Sequence, residues 1–368
     1  MNSLRKSGRI KSLDGIRGVA IILVLISHFP YANNFPVQIA NAYHWVFSFG
    51  DLGVRIFLVL SGFLISGILL DELQCKGSVD LRKFYLRRAY RLLPVCVVYI
   101  ATLMLLDLVL IYSDSLSSYA GALSQTRNYL GVGNSATVHF WSLSVEWQFY
   151  ALWPMMFILF GFGSPRKAIV GIFLIVSVVV LVRLAAPDPG AGGSVIARLL
   201  GPRGLMRYAD SLVIGVAGAY LWRRLNNSSI AKFFSAGEAQ VAGILLVPVM
   251  FFLDCYHAGP LLLDALRQPL IGLIMLFEIF LACSETGGIL VRALSAKWLI
   301  SIGVISYSLY VWHVLFLSHF FFGHSQDYSI PFLWDWRIWL VPSFVVAVAS
   351  YSLLEKPFFS VRASLRRE

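Results

Sequence analysis

Charge is what this sequence has least of. Only 13% of its 368 residues are Asp, Glu, Lys or Arg, while 58% are hydrophobic; an ordinary soluble domain carries about 25% charged residues. The mean hydropathy is +0.75. That deficit excludes a soluble globular enzyme, a disordered chain and a coiled coil. Cysteine is scarce too. The four are Cys75, Cys96, Cys255 and Cys283, two of them inside apolar runs, and no Cys-x-x-Cys spacing occurs. Neither a disulfide framework nor a zinc site is supported, and no metal is expected. Internal repeats and low-complexity segments are lacking as well, which argues against a transporter assembled from inverted repeats.

What the sequence does have is apolar residues in runs of about 20, separated by short polar breaks. We read ten spans, roughly 14–31, 51–71, 91–112, 140–161, 168–186, 205–222, 238–254, 269–284, 299–322 and 334–354. The expected fold class is an all-α integral membrane protein of about ten transmembrane helices. Residues 1–368 read as one transmembrane domain, with too little left over for a fused extracytoplasmic domain. Aromatic residues, 14% of the chain, suit spans and interfaces.

The net charge is +11. In a soluble protein that would suggest nucleic acid. Here the charge belongs to loops and reports topology, so the expected partner is a lipid bilayer and not nucleic acid. With a cytoplasmic N-terminus, 22 of the 30 Lys and Arg residues fall inside. Arg127, Arg183, Arg198, Arg203, Arg207, Arg267 and Arg337 fall outside, and Arg55 lies within a span. Both termini are therefore expected in the cytoplasm, in a multi-pass protein of the inner or plasma membrane. The first run resembles a secretory signal, with a basic start and Ala40-Asn41-Ala42 as a cleavage-like site. That site lies beyond the usual range of about 15–30 residues, so the run is read as a retained span. The Ala186–Gly193 stretch reads as an outer loop.

Ionisable groups inside spans cost several kcal/mol unless paired or hydrated, so each is a functional candidate. In the first span Arg17 and His28 are eleven residues apart. Helical geometry puts them on one face, about 16 Å apart along the axis. Asp14, three residues before Arg17, can pair with the guanidinium. The alternative is a snorkelling Arg and a His bonded to a neighbouring helix. In Phe84–Pro94, Arg87, Arg88 and Arg91 sit at i,i+3 and i,i+4 spacings at a helix start. Forked, permanently charged guanidiniums suit phosphate, and they equally suit anchoring to anionic lipid.

The stretch His139-Phe140-Trp141-Ser142-Leu143-Ser144-Val145-Glu146 opens the fourth span. Glu146 there can orient a His, take a proton or bind a sugar hydroxyl, or simply favour the helix start. His139 reads as an interfacial residue. Ser306 and His313, seven apart, share a helix face, and His313 reads as a buried imidazole satisfying a neighbour. Glu355 precedes the helix-stopping Pro357 and either acts or pairs with a loop arginine. Ser61, Gly62 and Ser66 would let a helix or ligand approach closely. Arg55 can pair with Asp51, four residues earlier. Glu278, inside the eighth span, needs a partner that spacing does not name.

Together these stretches resemble the acyltransferase family 3 membrane proteins. The motifs are Leu13-Asp14-Gly15-Ile16-Arg17-Gly18 running to His28, Gly53 through Ile65, Phe84–Arg91, Trp141–Glu146, Ser306–His313 and Glu355-Lys356-Pro357. They come in the family's order and cover roughly residues 13–360. The resemblance implies transfer of an acyl group, commonly acetyl, from cytoplasmic acyl-CoA to a hydroxyl of a cell-surface or exported saccharide. It implies that Arg17 and His28 match an Arg-x10-His pair, that Arg88 and Arg91 match an Arg-x-x-Arg pair, and that Glu146 matches the acid after Trp-Ser-Leu. Many members have a second acid next, where this chain has Trp147.

On that resemblance, Arg17, Arg87, Arg88 and Arg91 would hold acyl-CoA, acetyl-CoA in the first place. His28 would take the proton of the acceptor hydroxyl, supported by Glu146. Asp14, Ser61, Gly62, Trp141, His313 and Glu355 would support the site or substrate. Two alternatives stand beside this reading: an acyltransferase on a small-molecule or lipid acceptor, and a transporter for an anionic solute or lipid. The acyl chain, the acceptor hydroxyl and the oligomeric state are not legible in the residues.

Overall fold

Backbone amides and carbonyls inside a bilayer need partners from within their own segment, which leaves the helix as the structure open to apolar runs of this length. The computed structural model describes residues 10–36, 38–39, 46, 48–109, 112–130, 135–185, 201, 203–225, 233–234, 236–255, 261–284, 288–317 and 332–358. Among them there is no strand; one isolated bridge joins Asn33 to Asp335. Arg5, Lys6, Arg9, Ala40–Ala42, the 186–193 loop, Arg198, Lys232, Arg362, Arg366 and Arg367 lie outside the described residues.

The helices are α1 (Lys11–His28), α2 (Ser48–Lys76), α3 (Leu81–Leu108), α4 (Leu116–Leu123), α5 (Phe140–Leu159), α6 (Pro165–Ala185) and α7 (Leu205–Leu225). They continue as α8 (Gly237–Cys255), α9 (Leu261–Cys283), α10 (Ile289–Leu294), α11 (Lys297–Val304), α12 (Ser306–Trp312) and α13 (Leu340–Ser350). Among the described residues, six stretches are long and apolar enough to cross a membrane: Lys11–Tyr31, α2, α3, α6, α8 and Ala265–Cys283. A seventh appears if the pair Lys297–Val304 and Ser306–Phe316 counts as one broken span. The other spans read in the sequence also fall on helices, but more polar or shorter ones. Ser142, Ser144, Glu146 and Gln148 dilute α5, and Arg207, Asp210, Arg223 and Arg224 dilute α7. The last span is the shorter apolar helix Leu340–Glu355.

The chain divides into two compact units. The first comprises Met1–Val24, Ser48–Val79 and Trp153–Val304. In it α7 lies against α2, α6 and α9. Glycines set the approach of α2 and α7. A Cβ on Gly62 would overlap the carbonyl oxygen of Leu212, and one on Gly215 would overlap that of Val59. Backbones come this close only where side chains are absent or small. The same device packs α1 beside α10 and α11, where Gly15 faces the Leu294 carbonyl and Gly303 faces that of Asp14.

Buried charges tie the same helices together. Arg55 on α2 donates to Asp51 at 2.8 Å and to Ser211 on α7 at 3.2 Å, and its guanidinium lies 4.6 Å from the Tyr208 ring centre. Tyr208 donates to Asp51 at 2.7 Å. Asp210, fully buried, accepts from Arg183 on α6 at 2.9 Å and lies 3.8 Å from Arg55. The expected Asp51–Arg55 pair is thus one link of a network over three helices. Glu278 on α9 packs against Gly243, and its Oε1 has no hydrogen-bond partner among the described residues.

The second unit comprises Leu25–Phe47, Asp80–Leu152 and Ile305–Glu368. Here α12 packs on α13 and α3, and α4 packs on α3. Asp80 caps α3, its side chain accepting the Lys83 amide at 2.9 Å. The arginines of Phe84–Arg91 therefore ride the first turns of a helix that runs on to Leu108 without a break.

The glycine contact between α2 and α7 is directly testable. Gly62→Val should lower the thermal stability of the detergent-solubilised chain by about 1–3 kcal/mol through overpacking. Gly237→Ala, where an added Cβ meets nothing within 4 Å, should not lower it. An unchanged melting temperature for Gly62→Val would remove the close approach from the account of this fold.

Candidate functional site

Three imidazoles meet in the second unit. His28 is the last residue of α1, where Pro30, having no N–H, cannot extend the helical ladder and the chain tightens into a short turn, Phe29–Tyr31. His313 follows α12 and opens a second tight turn, His313–Phe316. His139 closes the turn before α5, held by Val138 N–H to Ser135 O at 2.9 Å and Phe140 N–H to Thr137 O at 3.0 Å. The rings of His28 and His313 stand edge to face with centroids 4.9 Å apart, and those of His139 and His313 are 5.4 Å apart.

Carbonyls at the end of α12 orient the two inner rings. A helix leaves its last carbonyls without intrahelical donors. His313 Nδ1 lies 2.7 Å from the Tyr310 carbonyl and His139 Nε2 lies 3.0 Å from the Val311 carbonyl. A carbonyl only accepts, so each of these nitrogens carries the hydrogen. The other nitrogen of His313, Nε2, is buried with no hydrogen-bond partner among the described residues. His313 is 0% exposed and His139 3%, whereas His28 is half-buried. His28 is therefore the ring of the three that solvent or substrate can reach. Its Nδ1 lies 3.1 Å from Ser27 Oγ, and its ring packs beside Tyr31.

An aromatic wall encloses the inner rings. Tyr99 stands edge-on to both His139 and Trp312 and stacks on Phe140. Tyr310 bonds Ser142 and the His139 carbonyl. Arg127, 3% exposed and bonded to Thr137 at 3.1 Å, is close enough to act electrostatically on His139.

The arginines of α3 form a second group in this unit. The Arg88 guanidinium lies over the rings of Phe84 and Tyr150, at 5.7 and 5.3 Å from their centres. Tyr150 donates to Glu146, one helical turn earlier on α5, and feels the charges of both Arg88 and Arg91. Arg87, Arg88 and Arg91 are all half-buried. Tyr307 donates to the Leu92 carbonyl at 2.6 Å and meets Cys96 Sγ at 2.9 Å. Glu355 is buried in a π-helical turn, Tyr351–Glu355, and accepts from Ser308 at 2.6 Å; Ser308 also bonds Ser350 at 3.1 Å.

Set against the expectations, the pairing of Arg17 with Asp14 is present at 3.5 Å. Gly62 is occupied by the backbone of α7, which decides between a helix and a ligand at that glycine. Ser61 and Trp141 are half-buried. Glu355 accepts from a serine of α12, a partner that local spacing does not offer, because the π turn carries the carboxylate inward onto Ser308. His139 is not interfacial but sealed within the imidazole group, because its turn folds back onto the end of α12. The contacts described for Glu146 run to Tyr150, and those for His28 run to Ser27, Tyr31 and His313. Tyr150, Tyr310 and Ser308 were missed. Only Tyr150 had a usable signal, its i,i+4 spacing from Glu146.

The acyltransferase family 3 model, described as an acyltransferase domain, matches residues 10–354. Peptidoglycan O-acetyltransferase OatA of Listeria monocytogenes is 26% identical, over 95% of this chain and 55% of its own length. The putative peptidoglycan O-acetyltransferase YrhL of Bacillus subtilis is 27% identical, over 95% of this chain and 54% of its own. A putative O-acetyltransferase of Staphylococcus aureus is 25% identical, over 96% and 58%. The chain spans about half the length of the curated relatives it matches. No solved structure matches.

The Glu355 contact has a measurable weight. Ser308→Ala removes one donor from a buried carboxylate and should cost about 1–3 kcal/mol of stability, read from the melting temperature in detergent. No shift would mean that Ser308 is not among the groups that hold Glu355.

Proposed function

The chain belongs to acyltransferase family 3, and from that premise we propose that it is a membrane O-acyltransferase moving an acetyl group from cytoplasmic acyl-CoA to a hydroxyl of a cell-surface or exported saccharide. The names of its relatives support the acetyl group and a saccharide acceptor. In this reading the chain crosses the membrane ten times with both termini in the cytoplasm. The excess of Lys and Arg in the segments so placed supports that orientation.

The observation that carries the reading is His28. It is the half-buried member of a group of imidazoles whose other two are sealed. It also ends the same continuous helix that begins with the Asp14–Arg17 pair. A base that takes a hydroxyl proton must be reachable from one side and held from the other. His28 has both properties. In the transfer, the acceptor O–H bond breaks and its proton passes to His28. The oxygen bonds to the acyl carbon, the C–S bond of the thioester breaks, and the thiolate takes the proton from His28. Arg87, Arg88 and Arg91 would hold the donor's phosphates, since forked guanidiniums on one helix match phosphate oxygens. Glu146 and Tyr150 set the charge beside Arg88.

Sealed inside-out vesicles given labelled acetyl-CoA should pass label to glycan or lipid-linked glycan. His28→Ala should reduce that transfer by about 100-fold or more while acetyl-CoA binding persists. Retained transfer would remove His28 from the reaction. Arg91→Ala should raise the KM for acetyl-CoA about tenfold, the loss of one charge-assisted bond to phosphate, and an unchanged KM would take Arg91 out of the donor site. Glu146→Gln should lower turnover more than donor binding. Wild-type turnover in that variant would leave Glu146 a structural partner of Tyr150.

A further inference from the structure

The imidazole group contains a nitrogen that the transfer step so far leaves unused. His313 Nδ1 donates to the Tyr310 carbonyl at 2.7 Å, which makes Nε2 the lone-pair nitrogen of a neutral ring. That nitrogen is buried, in a residue with 0% exposure, and has no hydrogen-bond partner among the described residues. An unsatisfied buried acceptor costs about 1–3 kcal/mol, so its retention asks for an occupant at some stage. Two rings stand edge to face with His313: His28, 4.9 Å between centroids, and His139, 5.4 Å away, whose hydrogen-bearing nitrogen is already given to the Val311 carbonyl.

Resting on the reading of His28 as the base, we propose that His313 is its positioning residue, with Nε2 accepting a hydrogen bond from the imidazolium that His28 becomes during transfer. An imidazolium has an N–H on both nitrogens: one holds the proton taken from the hydroxyl and faces the thiolate that removes it, and the other needs an acceptor in the protein. His313 Nε2, on the ring that stands edge to face with His28, is the acceptor the proposal assigns to it. This is the part a carboxylate plays behind the histidine of a hydrolase triad, filled here by a neutral imidazole. The substitution has a physical reason. Arg127, a buried cation, acts on His139, and the charged-form partners that act on His313 are the imidazoles of His28 and His139. A neutral acceptor fixed by a helix-end carbonyl supplies the hydrogen bond with no second buried charge to desolvate. No atom leaves His313 in the cycle. The proton stays on His28 until the thiolate takes it.

The test uses the full chain in lipid vesicles with acetyl-CoA as donor, comparing His313→Phe and His313→Gln with wild type. Phe keeps the ring volume and removes the acceptor, while Gln keeps an acceptor oxygen. His313→Phe should lower kcat about 100-fold with the KM for acetyl-CoA unchanged, and His313→Gln should recover about tenfold of that loss. Wild-type kcat in His313→Phe, or no difference between the two variants, overturns the proposal. A second readout separates it from the donor reading and does not depend on turnover. The chain has seven histidines, so single substitutions assign the imidazole nitrogens of a histidine-labelled sample by 15N NMR. Replacing His28 with Ala should move the His313 Nε2 signal and leave Nδ1, bonded to Tyr310, in place. If wild type transfers nothing from acetyl-CoA but this shift is seen, the donor assignment fails and the pairing stands. If Nε2 does not respond to His28, the pairing fails whatever the activity.

Discussion

A polar group withdrawn from water has to find its partner inside the protein, and in a chain this apolar that requirement organises both units. In the first, Arg55, Asp51, Tyr208, Asp210 and Arg183 pair with one another across α2, α6 and α7. Each charge has an opposite charge or a hydroxyl at hydrogen-bond distance, which is the condition for tolerating it in an apolar interior. In the second, the carbonyls at the end of α12 take imidazole N–H groups in place of the missing next turn. The helix end and the candidate site are thus one piece of structure: what completes the last turn of α12 also sets which nitrogen of His313 carries the hydrogen.

Close packing supplies the other half of the account. Hydrocarbon does not drive helices together as water does, so association inside a bilayer rests on contact, and contact rests on small residues. Gly62 and Gly215 bring α2 and α7 to backbone contact, and the ion network then spans helices already held at that distance. Aromatic residues do in the second unit what glycine does in the first. Tyr99, Phe140 and Trp312 fill the space around His139 with rings, leaving His28 as the reachable face. As the proposed base, His28 has the His313 ring at its back, and general base catalysis gains from a fixed orientation of that kind.

Much of this was legible in the residues because the relevant spacing is local. The Asp14–Arg17 and Asp51–Arg55 pairs follow from helical periodicity alone, and both are present. The helical class follows from run length, whereas the helix end at His28 lies three residues short of the span read as 14–31. Long-range partners were not legible. Arg183 read as a loop cation, yet it meets Asp210 27 residues away. Glu355 finds Ser308 47 residues away, and His139 finds Val311 172 residues away. No periodicity connects such positions; they meet because helices pack.

The sequence by itself determined an all-helical chain with apolar runs long enough to cross a membrane, the family to which it belongs, and the residues available for chemistry. Hydropathy, helical spacing and ordered motifs are properties of the chain read along its length, so no partner is needed to see them. Tertiary structure decided which of those residues stand together. It placed His139 and His313 behind His28, gave Glu146 to Tyr150, and turned Glu355 inward. The reason is that a buried polar group takes whichever donor or acceptor the packed helices bring within about 3 Å, and that choice exists only once the helices have met.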